Sequence, residues 1–207
     1  MPLSESSSPR SLKHTRTTTV ASYRRADGLW EIDAHLTDIK TADAKLETGI
    51  RVAGDPIHDL WLRVTYSPDF TIVDAQAASD AVPYPGTCNT ITPDYKKLIG
   101  LNLLRGFRFG LKERLSGSAG CTHLTELAQV LPTVAVQGFS GELFAKPDGS
   151  LNGAEEGAKD GANKSQDNSA PTQQPFQLGR CHALRTDGPV VATYYPRWAA
   201  QKPTGTS

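Results

Sequence analysis

A cysteine and a histidine stand two residues apart, at Cys121 and His123, where a glycine-rich turn over residues 116–120 meets an apolar helical pattern. The first turn of a helix has unpaired N–H groups and the positive end of the helix dipole, and both favour a thiolate over a thiol. The sequence therefore predicts Cys121 and His123 as catalytic residues. The alternative is a helix start with a partly buried histidine and no chemistry.

Two more residues of metal-binding type, His58 and Cys88, lie at similar junctions, each after a turn that contains proline. If the strands and helices of this chain pack on one sheet, the three junctions can lie at the same end of it. Thiolate and imidazole suit zinc or iron, and Asp59 adds a carboxylate. We therefore predict a metal site made by His58, Asp59, Cys88 and Cys121. The alternative is that the cysteines only fill space in the core.

Other candidate residues have simpler explanations. Core packing is the default for Cys181. Arg24, Arg25 and Asp27 cluster at a turn, where they either grip a carboxylate ligand or pair with nearby acids, and we favour pairing. The chain lacks CxxC and HExxH motifs, phosphate-binding loops and dinucleotide fingerprints, so no motif fixes a reaction.

Composition excludes several classes of protein. The 207 residues carry a formal net charge of +0, so nucleic acid and anionic membranes are not expected partners. No run approaches the roughly 18 apolar residues of a membrane span, and the N-terminus lacks the apolar region of a secretory signal. The three cysteines form no disulfide framework. These features predict a cytoplasmic protein with reduced thiols; the oligomeric state is not predictable from them.

Alternating and turn patterns predict an antiparallel sheet. A strand over 17–20 leads through the Asp27-Gly28 turn to a second strand, whose apolar face is Trp30, Ile32, Ala34 and Leu36. Residues 57–66 and 70–78 predict a further hairpin. We also expect a last strand over 190–195, rich in Val and Tyr.

Helical patterns lie between and after these strands. Thr92 and Pro93 predict a helix N-terminus, with Leu98 and Ile99 on the apolar face of a helix that ends at Gly106. Residues 107–115 fit either a strand or a continued helix. A helix from residue 122 is interrupted at Pro132 and resumes over 134–139.

The predicted fold is α+β, a small mostly antiparallel sheet packed with two or more helices. Residues 12–198 are expected to form a single domain, with disordered tails at 1–11 and 199–207. Residues 147–174 have almost nothing to bury, so we predict a disordered insertion there.

As a set, several segments resemble the bacterial domain-of-unknown-function family 2889. They are residues 23–30, 57–62, 83–88, 98–100 and 120–124. The resemblance covers roughly 14–140 and 180–198, and the name of the family implies no activity. The element order also resembles, more weakly, the iron–sulfur scaffold proteins of the NifU-like fold. The first cysteine of those scaffolds falls near His58-Asp59, where this chain has a histidine. That difference argues against cluster assembly and leaves single-metal binding open.

Three functions follow from these residues. The first is a metal-dependent enzyme that acts on a small molecule through a Cys/His site. The second is a non-catalytic scaffold or accessory protein that holds a metal or cluster. The third is a metal-free enzyme with Cys121 as nucleophile and His123 or His58 as base.

Overall fold

A computed structural model describes residues 3–143, 174–175 and 177–200 of the chain. Residues 1–154 and 155–207 form two compact units, which are described separately below. Most of the predicted insertion, 147–173, lies outside the described residues, as does the predicted tail from 201 onward. Every helix in the described part of the chain is too short or too polar to cross a membrane.

The first unit is built on a four-stranded antiparallel sheet in the order β1-β2-β5-β6. Its strands are β1 (His14–Arg24), β2 (Trp30–Lys40), β5 (Pro56–Tyr66) and β6 (Ile72–Ala81). A small hairpin of β3 (Ala44–Leu46) and β4 (Gly49–Arg51), which the sequence did not predict, lies between β2 and β5. The predicted hairpins around Asp27-Gly28 and Ser67-Pro68 are confirmed.

Strand β2 alternates strictly between buried and half-buried side chains. The apolar residues of its buried face pack in the core, and large side chains such as Ile32 and Leu36 each contribute about 1.5–3 kcal/mol. The buried phase ends on a charged residue, Asp38, which is 3% exposed. A carboxylate in this position must find partners inside the fold.

The helical elements pack against the sheet through that apolar face. They are a 3₁₀ segment (Cys88–Leu98) and the helices α1 (Phe107–Leu115), α2 (Thr122–Ala128) and α3 (Leu131–Leu143). Residues 107–115, which fitted either a strand or a helix, form a helix. Phe107, Leu111 and Leu115 are buried at helical spacing. The fold class is therefore α+β, as predicted.

The helix predicted to begin at Thr92 was wrong in type and bounds. The chain turns into a 3₁₀ segment four residues earlier, and the Thr92 hydroxyl bonds to the Asn89 carbonyl at 3.0 Å inside it. Pro93 lies inside this segment and has no N–H to donate, which interrupts α-helical hydrogen bonding at this point. Leu101 and Leu103 follow in a loop that bonds to the start of β6, with the Leu103 N–H on the Phe70 carbonyl at 2.9 Å.

In the second unit the predicted strand over 190–195 is a short helix, α4 (Pro189–Tyr194). Gly188 precedes it and Pro189 is its first residue, a combination that starts helices. The β-propensity of Val190 and Val191 therefore did not decide the local structure. Residues with high β-propensity form a strand only where a partner strand is available.

Candidate functional site

Three neighbouring strands place Arg16, Asp38 and His58 directly opposite one another on the helix-covered face of the sheet. The guanidinium of Arg16 donates to both Asp38 oxygens, from Nε to Oδ1 at 2.8 Å and from Nη2 to Oδ2 at 2.7 Å. His14 Nε2 lies 2.8 Å from Oδ1 and His58 Nδ1 lies 3.0 Å from Oδ2. We call His14, Arg16, Asp38 and His58 the Asp38 network.

The network holds Asp38 as a carboxylate. Burial alone would disfavour the charge, but hydrogen bonds from Arg16 and His14 outweigh it and lower the pKa of Asp38 to about 2. The consequence for His58 is geometric. Because its Nδ1 faces Asp38, the Nε2 atom is the ring nitrogen left without a hydrogen-bond partner among the described residues.

His123, from the first turn of α2, lies over His58 with ring centroids 3.8 Å apart. Its Nε2 is 4.0 Å from Asp38 Oδ2. Burial lowers the pKa of both imidazoles, and for His58 the neighbouring His123 adds to the effect. Both rings are therefore neutral near pH 7, the form that binds a metal or accepts a proton.

The turn before α2 is fixed by a buried tyrosine of the 3₁₀ segment. Tyr95 donates its hydroxyl to the Cys121 carbonyl at 2.8 Å and accepts the Cys121 N–H at 3.1 Å. Burial raises the pKa of Tyr95 to about 12, so the hydroxyl keeps its proton. Gly120 is required because a Cβ there would lie 2.2 Å from the Leu115 carbonyl oxygen. The Cys121 Sγ atom ends up 4.0 Å from His123 Nδ1.

His58, Cys88, Cys121 and His123 line one cavity of about 280 Å³, which we call the His/Cys pocket. Leu60, Ser79, Val82, Pro83 and Tyr84 complete its wall. Four residues that sequence reasoning selected at three separate junctions therefore meet at one place. Cys181 is exposed and belongs to the second unit.

Asp59 does not join them. The Asp59 Oδ1 atom lies 2.7 Å from His35 Nε2, within hydrogen-bonding distance. The His35 ring stacks on Trp61 with ring centroids 3.7 Å apart. Successive side chains of a strand point to opposite faces, so Asp59 and His58 lie on opposite sides of the sheet. The carboxylate that reaches His58 is Asp38, from the neighbouring strand.

Sequence reasoning missed Asp38, Arg16 and His14 as parts of the site. A signal for Asp38 was present, because it continues the buried phase of Trp30, Ile32, Ala34 and Leu36. A charged residue in a buried phase needs a partner of opposite charge.

For the predicted cluster of Arg24, Arg25 and Asp27, the structure shows pairing with nearby acids. Arg25 pairs with Asp27 at 2.7 Å and with Glu31 at 3.1 Å.

Among the described residues, the group of potential metal ligands whose atoms all lie within 4.8 Å of one another is Asp38, His58 and His123. Neither cysteine belongs to that group. Asp38 already accepts both arms of the Arg16 guanidinium, whose positive charge repels a cation at this carboxylate. Asp38 is therefore better suited to orient His58 than to bind a metal itself.

The chain belongs to a family described as "Protein of unknown function (DUF2889)", whose model matches residues 14–137. The match contains the Asp38 network and the His/Cys pocket. No curated protein and no solved structure matches the chain.

Proposed function

We propose that this member of the DUF2889 family binds one zinc or iron ion in the His/Cys pocket and uses it in an enzymatic reaction on a small molecule. The observation that carries the proposal is the meeting of two neutral imidazoles and two thiols around one cavity. The ligands we assign are His58 and His123 with Cys121 and Cys88.

The distance between Cys121 and His123 supports this assignment. In a tetrahedral zinc site, with zinc–sulfur near 2.3 Å and zinc–nitrogen near 2.05 Å, the two ligand atoms lie about 3.6 Å apart. The Cys121 Sγ and His123 Nδ1 atoms are 4.0 Å apart, close to that spacing.

Asp38 acts on the site through His58. Its bond to Nδ1 fixes the ring orientation and the tautomer that leaves Nε2 without a proton, as carboxylate–histidine pairs do behind metal ligands. A metal held here would polarise a carbonyl or activate a water molecule. The pocket volume of about 280 Å³ is close to the lower end of small-molecule sites, about 300 Å³, so we expect a small substrate.

The test is elemental analysis of protein purified without a histidine tag, followed by a competition titration with a zinc chelator. We expect about one metal per chain, and a loss of affinity of roughly tenfold or more in His58→Gln and Cys121→Ser. His182→Gln and Cys181→Ser are matched controls, because both residues are exposed and lie in the second unit. Wild-type protein that binds no zinc would refute the proposal.

A metal-free cysteine enzyme is a second candidate, favoured by the proximity of Cys121 Sγ and His123 Nδ1. Alkylation of Cys121 separates the two, with the exposed Cys181 as internal reference. If a metal shields the thiol, a chelator accelerates its modification. If no metal is bound, the chelator has no effect. Turnover screening of the loaded protein then separates an enzyme from a non-catalytic scaffold.

A further inference from the structure

We propose that a second site, in the groove between α1 and α2, binds a small molecule through a phosphate group. The groove has a volume of about 550 Å³, larger than the His/Cys pocket. The side chains of Leu111 and Leu115 form its floor, and we call it the α1–α2 groove. Its size is within the range of small-molecule sites in proteins.

Two cations in this groove have no acidic partner in the described part of the chain. Arg108 and Lys112 are exposed, and their spacing of four residues places them side by side on α1. Elsewhere in the first unit Arg16, Arg25 and Arg63 each bond to a carboxylate. An unneutralised pair of cations in a concave surface attracts an anion.

The acid at the edge of the groove does not cancel this charge. Glu126 lines the groove, and its Oε2 accepts Arg16 Nη1 at 2.5 Å, although Arg16 is shared with Asp38. One carboxylate facing two cations leaves the groove with a net positive charge. Gln129, one turn further along, adds an uncharged amide donor. The net positive character of the groove therefore comes from Arg108 and Lys112.

Unused hydroxyls complete the set of donors. Ser116 and Thr122 line the groove, and neither hydroxyl has a hydrogen-bond partner among the described residues. Thr125 differs, because its hydroxyl already bonds to the Leu115 carbonyl at 3.2 Å. Two free hydroxyls beside two cations leave hydrogen-bond capacity that a ligand can use.

This donor set fits a phosphate group. A phosphate monoester carries a charge of about −1.5 to −2 at pH 7, which two cations match. An arginine guanidinium donates two parallel hydrogen bonds to two phosphate oxygens, and a lysine ammonium supplies a point charge. Serine or threonine hydroxyls donate to the remaining oxygens. The apolar floor is then available to the rest of the molecule.

The two sites share a helix but not their ligands. Thr122 and Glu126 of α2 line the groove, whereas His123 and the preceding Cys121 line the His/Cys pocket. The phosphate site therefore does not depend on whether a metal is bound. It extends the binding capacity of the protein beyond the function proposed above.

The experiment is isothermal titration of full-length, chelator-treated protein with inorganic phosphate, glycerol 3-phosphate and succinate. We expect the two phosphates to bind, and Arg108→Gln/Lys112→Gln to weaken binding by roughly tenfold or more, the effect of losing a charge-assisted hydrogen bond. Lys45→Gln/Lys96→Gln is the matched control, since it removes two exposed positive charges outside the groove. Repeating the titration with zinc-loaded protein measures any contribution from metal in the His/Cys pocket.

Each outcome decides the proposal. Binding that survives in Cys121→Ser and disappears in the groove variant supports a site independent of the metal. No phosphate binding up to about 10 mM, beyond the millimolar range of weak specific ligands, would overturn it. Equal losses in the groove variant and the control would also overturn it, because they indicate a general charge effect. Tighter binding of succinate than of both phosphates would reassign the groove to carboxylates.

Discussion

At the scale of single residues, the site depends on a carboxylate inside an apolar sheet face. Asp38 is 3% exposed, and its two oxygens have four hydrogen-bonding contacts from three side chains. Such a group stabilises the fold only while it is charged and paired. The same contacts set the tautomer of His58, so one residue connects stability with the chemistry of the pocket.

The pH dependence of stability follows from the directions of these shifts. The folded-state pKa of Asp38 is about 2, below its ordinary value of 3.8, so its contribution is complete above pH 4 and is lost as the pH falls towards 2. The lowered pKa values of His58 and His123 act at higher pH. Their contribution is complete above about pH 6.5 and decreases below it.

We therefore expect Asp38→Asn to lower the free energy of unfolding at pH 7 by about 2 kcal/mol in chelator-treated protein. The loss of stability between pH 4 and 2 should become shallower in this variant, because the titrating carboxyl is gone. Urea unfolding across pH 2.5–7 measures both effects. Asp59→Asn is the control, since its side chain is 26% exposed and pairs on the other face of the sheet. Equal pH profiles for wild-type and Asp38→Asn would contradict this account.

At the scale of elements, the position of α2 depends on contacts from outside the helix. The N-cap residue Cys121 makes no side-chain capping hydrogen bond. The turn before the helix is held by the Tyr95 hydroxyl and by the close approach of Gly120 to Leu115. Thr125 joins the same hydroxyl at 2.9 Å. The 3₁₀ segment therefore positions both sulfur-bearing junctions, since Cys88 begins it and Tyr95 fixes Cys121.

Tyr95→Phe tests this role directly. Removing the hydroxyl leaves the Cys121 N–H without its partner, whereas the Cys121 carbonyl keeps the Thr125 N–H at 2.8 Å. The unsatisfied N–H should destabilise the fold by about 1–3 kcal/mol. Tyr84→Phe should change stability by less than about 0.5 kcal/mol, because Tyr84 is 45% exposed and its hydroxyl bonds only to the exposed Glu47. Chemical denaturation followed by tryptophan fluorescence compares the two. A smaller loss of stability for Tyr95→Phe than for Tyr84→Phe would show that the hydrogen bonds between Tyr95 and Cys121 are unimportant.

At the scale of the whole molecule, stability should come from the segments that bury apolar residues. The stretch 147–174 contains one leucine and no valine, isoleucine or aromatic residue, so it has little apolar surface to contribute. Loop-closure entropy changes slowly with length, about 0.6 kcal/mol for each doubling. We expect deletion of 147–174 to leave the melting temperature nearly unchanged.

Calorimetry or thermal fluorescence of the deletion variant measures this. Leu111→Ala serves as the positive control, because Leu111 is 2% exposed and its truncation should cost about 2–5 kcal/mol. A drop in melting temperature for the deletion comparable to that of Leu111→Ala would show that the composition of the stretch was misinterpreted.

Local patterns in the sequence determined much of this protein. The alternation along β2, the Asp27-Gly28 hairpin and the helix that begins after Cys121 each depend on neighbours within a few residues, which the sequence shows directly. The choice between strand and helix for residues 107–115 and 190–195 was different. It depended on the presence of a partner strand or a packing surface, which lies elsewhere in the chain.

Only the tertiary structure decided which carboxylate reaches His58. Asp59 is its neighbour in sequence, but adjacent residues of a strand face opposite sides of the sheet. Asp38 is twenty residues away and lies directly opposite His58 through the pairing of β2 with β5. The pairing and register of strands depend on long-range packing, so the sequence supplied the imidazoles and thiols, and the sheet selected their charged partner.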